Sequence, residues 1–201
     1  MTNYRRAFVP GATWFFTVAL AQRRDNRLLL EHVDGLRGAF RRVREAHPFG
    51  VDAIVILPEH LHCLWTLPEG DADFSTRWGL IKAGFSRSIP EGEGRSPSRI
   101  GRGERGIWQR RFWEHLIRDE NDFERQVDYI HWNPVKHGHC ASPRDWPHSS
   151  FHRFARQGML PADWGSMIDA SGEFGEPRYQ AGFIACAAVG PDRPPSSRPS
   201  C

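Results

Sequence analysis

The sequence predicts an α+β fold, a ferredoxin-like α/β sandwich with an antiparallel central sheet. Three observations carry that expectation: runs of alternating aromatic and β-branched residues that read as strands, helical spacings of apolar residues between them, and their order. Strand, helix, strand, strand, helix, strand is the split βαβ pattern. With 201 residues, 39% apolar and 25% charged, the chain has the composition of one globular domain carrying a tail.

TWFFTVAL, residues 13–20, is the first strand. Arg5 and Arg6 ahead of an apolar run ending in Ala19-Leu20-Ala21 imitate a secretory signal, but Pro10, Gly11, Thr13 and Thr17 interrupt it, and a strand is expected instead. The stretch LLLEHVDGLRGAFRRVREAH then places Leu29, Val33, Leu36, Phe40 and Val43 on one helical stripe that ends before Pro48 and Gly50. VDAIVIL and HLHCLWTL follow as strands separated by only Pro58 and Glu59, a hairpin with a tight link. Trp78, Ile81 and Phe85 mark a second helix with Ser75 as its expected N-cap, closed by Pro90. Residues 91–106 hold Gly, Ser and Arg with almost no apolar side chains, which predicts a mobile loop. A short strand over 107–112 and a third helix over 122–133 complete the domain, the helix capped by Asn121 with Glu124 and closed by Pro134. One domain over residues 1–165 and a tail over 166–201 are expected, the tail partly disordered because PDRPPSSRPS cannot build a core.

Composition removes several classes of function. The four cysteines, Cys63, Cys140, Cys186 and Cys201, form no CxxC pair, so neither a disulfide framework nor a zinc knuckle is expected and the thiols suit a cytoplasmic protein. No stretch approaches the roughly 18 apolar residues of a membrane span, and no membrane partner is expected. The net charge of +3 is uneven. Residues 75–118 contain Arg77, Lys82, Arg87, Arg95, Arg99, Arg102, Arg105, Arg110, Arg111 and Arg118 against Glu91, Glu93, Glu104 and Glu114. Such a concentration suits a surface that tracks phosphates, with Trp108, Phe112 and Trp113 interleaved either as stacking platforms or as core.

Two constellations can carry chemistry. His60 and His62 are two apart in a strand, so both imidazoles point to one face while Leu61 points to the other. They can converge on a metal ion, and they suit two half-buried histidines equally well. Glu59 beside them is assigned to the turn, facing away from any metal. Tyr129 and Asn133 are four apart on the third helix and share a face, with Gln126 a turn earlier. Asn133 offers a hard carbonyl oxygen for Mg2+ or Mn2+, or serves as a helix cap before Pro134; Tyr129 is either a nucleophile or a core aromatic. Lys136 and His137 can meet phosphates, whereas a solvated basic surface is the plainer reading of His115, His131, His137 and His139. With only three tyrosines in the chain, Tyr4, Tyr129 and Tyr179, Tyr129 is the phenol placed to face the histidines.

Taken together, PEHLHCLW at 58–65, RRFWEH at 110–115, YIHWNPVKHG at 129–138 and DWPHSSF at 145–151 resemble the REP-associated tyrosine transposases. This is the single-tyrosine branch of the HUH (His-hydrophobic-His) endonucleases. YRRAFVPGATWFFTV and PEGDADFSTRW extend the likeness over about residues 4–165. The resemblance implies the HUH endonuclease fold and a metal-dependent nuclease that cleaves and rejoins single-stranded DNA at repetitive extragenic palindromic (REP) hairpins beside a 5′ flanking guide. It implies Tyr129 as nucleophile, forming a 5′-phosphotyrosine, and His60, His62 and Asn133 as ligands of Mg2+ or Mn2+. The expected DNA contacts are Arg77, Lys82, Arg95, Arg99, Arg102, Arg105, Arg110, Arg111, Lys136 and His137. A nucleoid-associated cytoplasmic protein, a monomer or weak homodimer, is expected with it. Two readings compete: a non-catalytic, domesticated REP-hairpin binder, and a ferredoxin-like RNA-binding domain, the latter lacking the aromatic RNA-binding motifs.

Overall fold

A computed structural model describes residues 7–165; Tyr4, Tyr179, Cys186, Cys201 and the whole of the expected tail lie outside them. The elements run β1 (Thr13–Ala19), α1 (Leu28–Glu31), α2 (Val33–Ala46), β2 (Gly50–Ile56), β3 (His60–Thr66), α3 (Phe74–Arg87), α4 (Pro97–Ile100), β4 (Trp113–Leu116), α5 (Glu120–Lys136), a 3-10 turn (Pro143–Asp145) and α6 (Phe151–Arg156). The strands form one antiparallel sheet in the order β2-β3-β1-β4. This is the expected sandwich, an α+β fold.

The pleat of β1 and β3 divides the core. Trp14, Phe16 and Val18 with Leu61, Cys63 and Trp65 face α2 and α3, while Phe15 and Leu64 join the core under α5. The first face is aromatic: Trp65 stacks on Trp78 at 4.2 Å and 16°. The helices α2 and α3 can approach closely because Gly84 lacks a Cβ, which would stand 3.3 Å from that of Ala39. On the far edge of the sheet, the segment after the 3-10 turn covers β2. Ile56 N donates to His148 O, Ser150 N to Ile54 O, and Ile54 N to Ser150 Oγ, occupying an edge that would otherwise stay open.

Several local expectations are corrected. The first long helix is broken at His32, whose φ of −118° and ψ of 31° leave the helical region between α1 and α2. Asp73 and not Ser75 caps α3, accepting from Thr76 N at 2.9 Å. The last strand is Trp113–Leu116; residues 107–112 contribute only an isolated bridge between Leu20 and Trp108. Asp119, not Asn121, caps α5 by accepting from Asp122 N at 2.8 Å. Pro134 lies inside α5 instead of closing it, because it sits in the last turn, where a missing N–H costs one bond and His137 N still reaches Asn133 O. The 91–106 segment is pinned: Arg105 donates to the backbone oxygens of Ser86, Ile89 and Pro90 and pairs with Glu93.

Candidate active site

Strand β3 delivers His60 and His62 to the face of the sheet that α5 covers, and Leu61 to the opposite core. The two imidazoles lie 4.8 Å apart, centroid to centroid, and are 3% and 2% exposed. Each is held by its Nδ1. His60 Nδ1 donates to Glu59 Oε1 at 2.8 Å, and His62 Nδ1 meets Thr17 Oγ1 at 2.9 Å from the paired strand. With a proton on each Nδ1, both Nε2 atoms keep their lone pairs, the tautomer a metal ligand needs.

Burial holds His62 well below the ordinary histidine range, and the positive charge of Lys136 and Arg23 adds to the effect; it is neutral at physiological pH. Glu59 is drawn two ways. Burial raises its carboxyl, but the hydrogen bonds from His60 and Arg23 prevail and hold it at about 2, so an ionised carboxylate backs His60. The turn position expected for Glu59 is right, but its side chain is turned toward the histidine.

Helix α5 brings Tyr129 over this pair. Its ring centroid is 5.1 Å from that of His62 at 75°, and 5.8 Å from Phe15, which also stacks on His62. Lys136 Nζ stands 5.0 Å from the Tyr129 ring, and the His137 ring lies 5.3 Å from His60. The middle of α5 therefore meets His62 and its C-terminal cap meets His60. Asn133 lies between them along the helix, on the face of Tyr129.

Asn133 is completely buried, and neither its Oδ1 nor its Nδ2 has a hydrogen-bond partner; His62 Nε2 is buried in the same condition. Buried polar atoms are seldom left unpaired. Two imidazole nitrogens and an amide oxygen form a donor set suited to a divalent cation such as Mg2+ or Mn2+. Among the described residues, no three His, Cys, Asp or Glu side chains group as a metal cluster. The helix-cap alternative for Asn133 is excluded by its place inside α5.

The basic residues divide. Arg77 is buried against Asp71 and backbone oxygens, which removes it from any DNA-contacting surface, and Arg105 is the loop clamp, its three guanidinium nitrogens engaged by Glu93 and backbone oxygens. Lys82 donates to Gln109 O and lies over Phe112, Arg95 pairs with Glu91 and Arg110 with Glu104, and Arg99 reaches Trp108 O. Arg102, Arg111, Lys136 and His137 are exposed. His131 is not on the surface: it is fully buried and its Nε2 lies 2.9 Å from Ser150 Oγ. Thr17, Phe15 and the inward turn of Glu59 escape a reading of the sequence alone. Residues 15 and 17 do share a pleat face, but nothing local says that β1 pairs with β3.

No family model matches the chain. It is 47% identical over 172 residues, 85% of this chain and 96% of the relative, to the REP-associated tyrosine transposase of Escherichia coli K12. It is 45% identical over 170 residues, 84% of this chain and 96% of the relative, to a putative REP-associated tyrosine transposase of Haemophilus influenzae. A solved structure of a REP-associated tyrosine transposase bound to a REP hairpin superposes with a TM-score of 0.72 at 45% identity, covering 88% of this chain and 98% of that one.

Proposed function

The chain belongs to the family of REP-associated tyrosine transposases, and on that premise we propose that it cleaves and rejoins single-stranded DNA at REP hairpins with Tyr129 as the nucleophile. The observation that carries the reading is the Tyr129 ring 5.1 Å from His62, whose Nε2 is buried and unpaired. The relative solved with a REP hairpin supports the choice of substrate.

His60, His62 and Asn133 would hold a Mg2+ or Mn2+ ion, which when bound neutralises and polarises the scissile phosphate. Tyr129 Oη attacks the phosphorus and loses its proton to solvent. The bond to the 3′ oxygen breaks, that oxygen takes a proton, and a 5′-phosphotyrosine remains. One phosphodiester is exchanged for another, so a second 3′-OH can reverse the step without an external energy source. A phenol with a reference pKa near 10 is a weak nucleophile at neutral pH, and the Lys136 ammonium 5.0 Å from the ring favours the developing phenolate. Lys136 and His137, exposed at the end of α5, supply phosphate contacts at the mouth of the site. The work belongs where the DNA is, in the cytoplasm at the nucleoid.

The test is a denaturing gel of protein mixed with a REP hairpin carrying its single-stranded flank and Mg2+ or Mn2+. Wild type is expected to form an adduct stable to SDS, and Tyr129→Phe none. Hairpin binding without any adduct under either metal would leave a DNA-binding protein and no nuclease.

A further inference from the structure

Between α3 and the pinned 91–106 segment lies a cleft of about 530 Å3 lined by Lys82, Arg87, Arg99, Arg102 and Arg110, with Glu104 the one acid apart from the clamp residues. Helix α3 packs on the face of the sheet opposite α5, so this cleft is separate from the Tyr129 site. Its wall is nevertheless joined to that site. Gln109 N donates to Ala19 O at 3.0 Å, and Ala19 is the register partner of His60. Two strand spacings of about 4.8 Å separate the wall from the histidine strand.

The cleft is built, not incidental. Arg105 ties its rim to the end of α3 through Ser86, Ile89 and Pro90, and Arg110 is oriented by Glu104 at 2.8 Å and Ser98 Oγ at 3.0 Å. A Cβ at either Gly79 or Gly103 would meet nothing within 4 Å, so both positions open onto space. The guanidinium groups of Arg87 and Arg102 are exposed and make no hydrogen bond among the described residues. Trp108 is 7% exposed under Lys82, which makes it a wall and not a platform for bases. A cleft rich in positive charge and without an exposed aromatic platform suits a sugar-phosphate backbone.

We propose that this cleft is a second nucleic-acid site, holding the backbone of a single strand that continues from the hairpin around the sheet edge at residues 107–111. It rests on the REP-hairpin reading above and adds to it a place for unpaired DNA on the opposite face. It also gives the Arg-rich segment a task, one that its composition alone left undecided.

Fluorescence anisotropy of two labelled probes tests it: a bare REP hairpin, and the same hairpin with a single-stranded oligothymidine extension. The Arg87→Glu/Arg102→Glu variant should bind the bare hairpin within about twofold of wild type. It should lose roughly tenfold or more on the extended probe, and its salt slope there should fall by about 1.4, the counterion release of two single-strand phosphate contacts. Arg87→Ala/Arg102→Ala should lie between the two. Equal loss on both probes would show a diffuse field and overturn the inference, as would no loss on either. Wild type that binds neither probe would instead defeat the REP-hairpin reading itself.

Discussion

The guanidinium of Arg77 donates to both carboxylate oxygens of Asp71, at 2.6 and 3.2 Å, and to the backbone oxygens of His47, Pro48 and Asp73 from a residue 4% exposed. Removing it would leave three carbonyls without their partner at the start of α3. Unpaired buried groups cost about 1–3 kcal/mol each, less where water can reach them. Arg77→Ala should therefore lower stability by about 2–4 kcal/mol in a urea titration while hairpin affinity, measured below the unfolding transition, stays within about twofold. A large loss of affinity in the folded variant would return Arg77 to the DNA-binding set. Charge counting cannot separate such a residue from its neighbours, because Arg77 and Arg102 contribute alike to the excess in residues 75–118. Glu59 has the same character: a tight turn explains its place in the chain, but only the folded chain shows its carboxylate accepting from His60 Nδ1.

Helix α5 carries Tyr129, the proposed nucleophile, and its start is fixed by charge. Asp122 is 2% exposed and accepts from His115 Nε2 at 2.9 Å and from Arg118 Nε at 3.0 Å. Burial pushes its carboxyl up, but the bonds from Arg118 and His115 outweigh that and hold it at about 2, below the ordinary 3.8. A carboxylate whose folded value is depressed stabilises the fold fully above the unfolded value, and that contribution is lost as pH falls from about 4 through about 2. Nearly two pH units correspond to about 2 kcal/mol. Asp122→Asn should lose about that much at pH 7 and flatten the stability profile between pH 2 and 4, read by urea titrations across the series. An unchanged profile would mean that other carboxylates govern the acid limb. The helix itself was legible from its apolar spacing, but its bounds were not. Asp119 lies ahead of the apolar periodicity, and Pro134, which reads as a terminator, is tolerated in a last turn where six consecutive residues, Tyr129 to Pro134, are buried. Holding Asn133 helical before a proline is conformationally unfavourable, and the packing of those residues offsets it.

Across the whole molecule, the sheet separates two layers, and the candidate site spans only one of the junctions. His60 and His62 belong to β3, while Asn133 belongs to α5, whose other attachment to the sheet is the smaller core around Phe15, Leu64, Val127 and Ile130. A cation held by all three would tie helix to sheet, and anything that binds the folded chain and not the unfolded one stabilises it by mass action. Mn2+ at about a hundred times its dissociation constant contributes about 2.7 kcal/mol, which for a domain of this size raises the unfolding midpoint by roughly 5–10 °C. Calorimetry of the protein without DNA should show that rise for wild type and for Tyr129→Phe, since the phenol is not among the ligands. Asn133→Ala should shrink it. Glu59→Gln should do so as well, because a His60 ring no longer oriented by a carboxylate binds metal about 10–100-fold more weakly. His60→Ala/His62→Ala should abolish it. A rise that survives the double histidine substitution would place the cation elsewhere and leave His62 Nε2 and the Asn133 amide, the two buried groups that argue for it, without a common partner.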